Sequence, residues 1–272
     1  MKEYIISNKK GILFVIGGLI LLITMIIIHN ISYKKTLLVS SLETFETKIN
    51  EPETARVLTE EELLEIFLVD NADTIKFMAD TFQIDDEVLK EKLRSDYQNI
   101  NLLETEEFEI RLLEYLFALE DSEKQLFDNT ITKCQDNKEY MLSLIKYFTN
   151  IYDSVDFSIA AAIAQIESNY TANSMLNKNN IFGGMSGGSL IRYKNIEYGI
   201  LSYIKLLNDG YFQKGLTTVE TIGRIYNPTY NEQGEKIAKP SWVSKVNKAL
   251  EEFVNIDTTV DLATINSLKN QV

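Results

Sequence analysis

The chain has 272 residues, of which 45% are hydrophobic, three are Pro and 12 are Gly, a composition that supports folded domains and excludes a low-complexity polymer. Its 27 basic side chains against 40 acidic ones leave a net charge of −13, the wrong sign for a general nucleic-acid binder. A single His, His29, and a single Cys, Cys134, exclude an intramolecular disulfide and leave Cys- or His-rich zinc sites and Ser-His-Asp or Cys-His catalysis without their residues. Chemistry then falls to carboxylates, Tyr, Lys or hydroxyls, and neither a metal nor a cofactor is expected.

Residues 11–28, GILFVIGGLILLITMIII, run without a charge. At 1.5 Å per residue they reach about 27 Å, close to the hydrocarbon thickness of a bilayer. The run is longer than the apolar part of a cleaved signal and is followed by His29-Asn30-Ile31 rather than a small-residue cleavage site, so an uncleaved membrane anchor is expected. Lys2, Lys9 and Lys10 precede it, and acidic residues begin at Glu43 behind Lys34 and Lys35. This bias predicts residues 1–30 as a cytoplasmic tip and anchor, with the bulk of the chain extracytoplasmic.

Residues 31–150 hold 27 acidic and 13 basic side chains, whereas 151–272 hold 12 and 11, so the acidity is local. Thr59-x-x-Glu62 has the form of a capping box ahead of Leu63, Leu64, Ile66 and Phe67. Further helices are predicted at roughly 72–83, 86–98, 105–119 and 137–150, with apolar residues such as Leu112, Leu113, Leu116 and Leu119 every three or four positions. Residues 31–150 therefore read as a small acidic helical bundle, a spacer whose charged face keeps it soluble or docks a protein partner. Cys134 reads as a buried or half-buried apolar residue.

Beyond residue 150 an Ala-rich helix, FSIAAAIAQIES, starts behind Asp156 as N-cap and ends at Glu167-Ser168. A loop containing Gly183, Gly184, Gly187 and Gly188 follows, with a strand candidate over 190–193 and a helix over 196–208. Thr217-x-x-Glu220 suggests a second capping box, the segment YNPTYNEQGEKIAKP a loop, and 241–254 a last amphipathic helix in which Trp242 falls on the apolar stripe. The polar tail, 255–272, is expected to be poorly ordered.

Glu167 stands out because it ends a helix whose other positions are almost all apolar. Desolvation disfavours the carboxylate and lets the group hold a proton near neutral pH, as a glycosidase general acid must. Two other patterns are decoys: Gly184-Met185-Ser186-Gly187-Gly188 has the form of a nucleophile elbow but no histidine to serve it, and a glycan on Asn169-Tyr170-Thr171 would block Glu167.

The string AIAQIESNYTANSMLNKNNIFGG resembles the catalytic core of lysozyme-like peptidoglycan hydrolases, in particular the bacterial endo-β-N-acetylglucosaminidase group, where a helix ends in the catalytic Glu ahead of an Asn-Asn-apolar-Phe-Gly motif. The likeness continues through Tyr193, Tyr198-Gly199-Ile200, Tyr226-Asn227-Pro228 and Trp242-Val243, and covers about residues 153–254. For 151–254 it implies a lysozyme-like α+β domain with a small irregular or hairpin lobe, so that with the membrane helix and the acidic helical bundle the chain reads as mainly α. It also implies Glu167 as general acid, with Asn180, Phe182, Gly183, Tyr193, Tyr226 and Tyr230 as substrate-binding candidates and peptidoglycan strands as the partner. Glu197, the only other acid between Glu167 and Asp209, reads as a surface residue at a helix N-terminus, so the site is expected to run on one carboxylate with help from the substrate's N-acetyl group. A muramidase, a lytic transglycosylase and a non-catalytic wall-binding or scaffold protein are the competing readings.

Overall fold

The computed structural model describes residues 57–100, 102, 107–133 and 137–271. Residues 11–28, His29 and Cys134 lie outside the described residues. Among the described residues, no helix is long and apolar enough to cross a membrane.

Thr59 opens α1 (Glu60–Asp70) through the expected capping box, its hydroxyl accepting from Glu62 N and the Glu62 carboxylate accepting from Thr59 N. α2 (Ala72–Phe82), α3 (Asp86–Ile100), α4 (Phe108–Ser122) and α5 (Lys138–Ile151) follow close to the predicted positions. Their periodic apolar residues, among them Ile75, Met78, Leu89, Leu112, Leu116 and Leu144, are fully buried. The described residues are mainly helical, and the acidic side chains lie mostly on the outside of these helices.

α6 (Phe157–Ser168) is capped by Asp156, whose side chain accepts from Ile159 N at 3.0 Å. α7 (Asn173–Leu176) is a single turn, and β1 (Met185–Ser186) pairs with β2 (Ser189–Leu190) around Gly187-Gly188. The strand predicted over 190–193 is therefore reduced to Leu190, because the two glycines turn the chain earlier and Tyr193 N instead bonds Lys178 O at 3.0 Å. α8 (Ile196–Gly210) comes next, then α9 (Val219–Tyr226), capped by Thr218 and Thr221, one residue later than the predicted Thr217 box. The segment read as a loop after Tyr226 contains a second hairpin, β3 (Pro228–Tyr230) with β4 (Lys236–Ala238), which leads into α10 (Pro240–Leu250).

The tail departs most from expectation. Instead of fraying, it forms α11 (Leu262–Lys269), capped by Asp261 and anchored by the buried Ile265 and Leu268 on α5. Glu197 is also not a surface residue: it is buried, accepts the Tyr140 hydroxyl at 2.6 Å and pairs with Lys269 Nζ at 2.9 Å. Position in the first turn of a helix does not specify the neighbours that α5 and α11 supply, Tyr140 and Lys269.

The fall in acidity near residue 150 has no counterpart in packing. Residues from Thr59 onward form one unit, with α5 against α8 and α2 against both α8 and α11. Polar ties cross the same boundary: Asn195 Nδ2 donates to Thr81 O at 3.0 Å, and Asn179 Nδ2 to Thr132 O at 2.8 Å.

Candidate active site

Glu167 occupies the last turn of α6, where side chains go from buried at Ala164 to half-buried at Gln165, Ile166 and Glu167. The helix stops sharply because Asn169 and Tyr170 both adopt left-handed backbone, with φ of 49° and 57°. Such a conformation is uncommon for a bulky residue. Tyr170 is held in it by full burial and by its hydroxyl donating to Ala161 O at 2.8 Å. The turn fixes where α6 ends and so where the carboxyl points.

Three elements converge on that carboxyl. From α10, the Trp242 indole Nε1 donates to Glu167 Oε1 at 3.0 Å. From the loop, Gly183 lies so close that a Cβ built on it would stand 3.0 Å from Oε2, and its φ of 71° is one that glycine adopts freely. From the end of α9, the Tyr226 ring lies 5.4 Å from the Trp242 indole, and its hydroxyl donates to Phe182 O. Burial raises the Glu167 pKa above the usual carboxylate range, and the Trp242 hydrogen bond works in the opposite direction. Burial also pushes the Tyr226 hydroxyl up, as does the nearby Glu167 charge.

The loop is built as a rigid floor. Asn180 is buried; its Nδ2 donates to Gly184 O and Ile191 O, both at 2.9 Å, and its Oδ1 accepts from Gly184 N at 3.0 Å. Phe182 is buried too, stacked on Tyr203 with ring centroids 3.6 Å apart. Asn179, at φ 53°, donates its amide to Tyr193 O at 3.0 Å. Its carbonyl faces Gly199 of α8, where a Cβ would come within 2.0 Å.

The predicted residues therefore take different parts. Glu167, Gly183 and Tyr226 are gathered into one cluster, while Asn180 and Phe182 shape the loop from below and are too buried to offer a surface to a sugar. Tyr193 is half-buried with its hydroxyl beside Gly184, and burial raises its pKa. Tyr230 stands 70% exposed on β3 and, among the described residues, makes none of the ring contacts or hydrogen bonds that join the others. Trp242, read as core, is both core and the partner of the acid. The signal was present in principle, since a buried indole N–H needs an acceptor.

No carboxylate partner contributes to the Glu167 shift. Among the described residues, no group of three or more His, Cys, Asp or Glu is placed to hold a metal ion. An open polar hollow of about 680 Å³ lined by Asn71, Glu109, Asp153, Lys205 and Asp209 among others shares no residue with this cluster. Comparisons of the chain with protein-family models, with curated proteins and with solved structures find no match.

Proposed function

We propose that the chain is a membrane-anchored peptidoglycan hydrolase of endo-β-N-acetylglucosaminidase type, built on a lysozyme-like arrangement and acting outside the membrane with Glu167 as general acid. The observation that carries this reading is a half-buried carboxyl of raised pKa at the end of an apolar helix, gripped by an indole and backed by a Gly-Phe loop. Burial favours the protonated form of such a group, the form from which a general acid gives its proton to the glycosidic oxygen as the bond breaks. The carbonyl oxygen of the substrate's own acetamido group bonds to the sugar C1 as the leaving alcohol departs. Water, deprotonated by the Glu167 carboxylate, then opens this cyclic intermediate and regenerates the acid. The motif resemblance over residues 153–254 supports the substrate class, and residues 11–28 supply the anchor.

A lytic transglycosylase is the second reading, supported by Glu167-Ser168, since that group also works with one Glu, often followed by Ser. There the sugar's own hydroxyl closes on C1 and no water is consumed. Mass spectrometry of fragments released from purified cell wall tests both: reducing N-acetylglucosamine ends support the glucosaminidase, reducing N-acetylmuramic acid ends a muramidase, and anhydro ends the transglycosylase. Wall binding without any release would support the scaffold reading.

A further inference from the structure

The two oxygens of Glu167 stand in different surroundings. Oε1 accepts the Trp242 indole N–H at 3.0 Å, whereas Oε2 lies against the bare Cα of Gly183, where a Cβ would approach to 3.0 Å. Two residues on one face of α9 pack against the indole ring. Gly223 of α9 leaves room for it, since a Cβ there would come within 2.9 Å of Trp242 Cζ3, and the Tyr226 ring lies 5.4 Å away. A protonated carboxyl has one basic oxygen, C=O, and one hydroxyl oxygen, and an N–H donor is satisfied by the basic one.

Resting on the reading of Glu167 as general acid, we propose that Trp242 is a positioning residue that assigns the two oxygens their tasks: the indole holds Oε1 as the carbonyl oxygen, so the transferable proton sits on Oε2, beside Gly183, which has no side chain to cover it. Trp242 does not touch the reacting atoms. It acts through Glu167, holding the carboxyl against rotation and keeping the proton on the face where the glycosidic oxygen arrives. The indole N–H also stabilises the carboxylate, so its loss moves the acid's titration to higher pH.

Because Trp242 is the only tryptophan in the chain, its emission reports on this contact without substrate. The experiment records the fluorescence of the purified full-length chain between pH 4 and 8, beside Glu167→Gln, with circular dichroism to restrict the data to folded protein. The expected result is a sigmoidal change in the unsubstituted chain with a midpoint above the ordinary 4.5 of a glutamate, and a flat trace in Glu167→Gln. Superimposable traces would overturn the contact. In wall-clearing assays Trp242→Phe, which keeps an aromatic ring in the same packing, is expected to lower the rate about tenfold and shift the alkaline limb of the pH profile upward, with wall binding unchanged. An unmoved alkaline limb would overturn the positioning role. A fluorescence transition that depends on Glu167, together with full wall clearing by Glu167→Gln, would instead remove the functional reading on which the role rests while leaving the contact in place.

Discussion

Lys194 and Glu120 form an ion pair inside the protein although 74 residues separate them in sequence. The ammonium is buried, donates also to Phe82 O at 2.6 Å, and sits 4.4 Å from the centre of the Tyr198 ring. The second oxygen of Glu120 accepts the Tyr198 hydroxyl at 2.6 Å. The pair thus ties α4 of the acidic half to the residue that follows Tyr193 in the candidate site. Removing one member of such a pair leaves the other charge buried and uncompensated. Glu120→Gln is expected to cost about 3 kcal/mol in urea unfolding. Burial holds the Lys194 pKa below its ordinary 10.5, with Glu120 opposing that shift, so the unfolded chain binds the extra proton at alkaline pH. The contribution to stability therefore rises as pH climbs toward 10.5, and the rise is steeper in Glu120→Gln, where Lys194 has lost its counter-charge. Urea midpoints at pH 7.5 and 9.5 check the sign.

The same ties bear on how the chain can be cut. A fragment of residues 151–272 lacks Thr81, Phe82 and Glu120, which hold Lys194 and Asn195, and it lacks α5, which packs on α6, α8 and α11. It is expected to show neither a cooperative thermal transition nor wall clearing, whereas residues 57–272 show both. Circular dichroism melts of the two pieces compare them directly.

Gly199 is the position where α8 and the Asn179 turn approach most closely. Gly199→Ala drives a Cβ to within 2.0 Å of a backbone carbonyl, which neither side can relieve by rotating a side chain. Overpacking of this kind costs about 2–3 kcal/mol. The strain falls on the turn that carries Asn180 and Gly183, so the loss of wall clearing is expected to exceed the loss of folded protein when the two are measured on the same sample.

Much of the helical frame was legible in the sequence, because apolar residues at helical spacing and the Thr59 and Asp156 caps act within a few residues of one another. The place of Glu167 at the end of an apolar helix is legible for the same reason, since it is a local pattern. The parts that were not legible depend on partners far away in sequence. Trp242 looked like one more member of an apolar stripe, and only the packing of α10 on α6 brings its N–H to a carboxylate 75 residues earlier. Glu197 and the 255–272 tail depart from expectation together, since each is explained by the other: Lys269 of α11 supplies the charge that pairs with the buried Glu197. Lys194 carried no motif, and its burial follows from the Glu120 side chain and the aromatic rings around it.

The acid at 167 is expected to lower stability at neutral pH. Its pKa is raised above 4.5 by burial, so the folded state keeps its proton to higher pH than the unfolded chain does. Between those two values the folded state binds more protons, and stability falls as pH rises through the window. Glu167→Gln removes that loss. Its melting temperature is expected to exceed that of the unsubstituted chain at pH 7, with the gain shrinking as pH falls toward 4.5. A carboxyl buried without a positive partner behaves in this way.

The measurement that bears most directly on the central claim is clearing of purified peptidoglycan by the full-length chain beside Glu167→Gln, at equal concentrations of folded protein. Loss of a general acid lowers rates by about 10²–10⁴-fold. The expected result is clearing by the unsubstituted chain and a fall of at least about 100-fold in Glu167→Gln, with wall binding retained. Equal clearing by the two proteins would contradict the assignment of Glu167 as the acid.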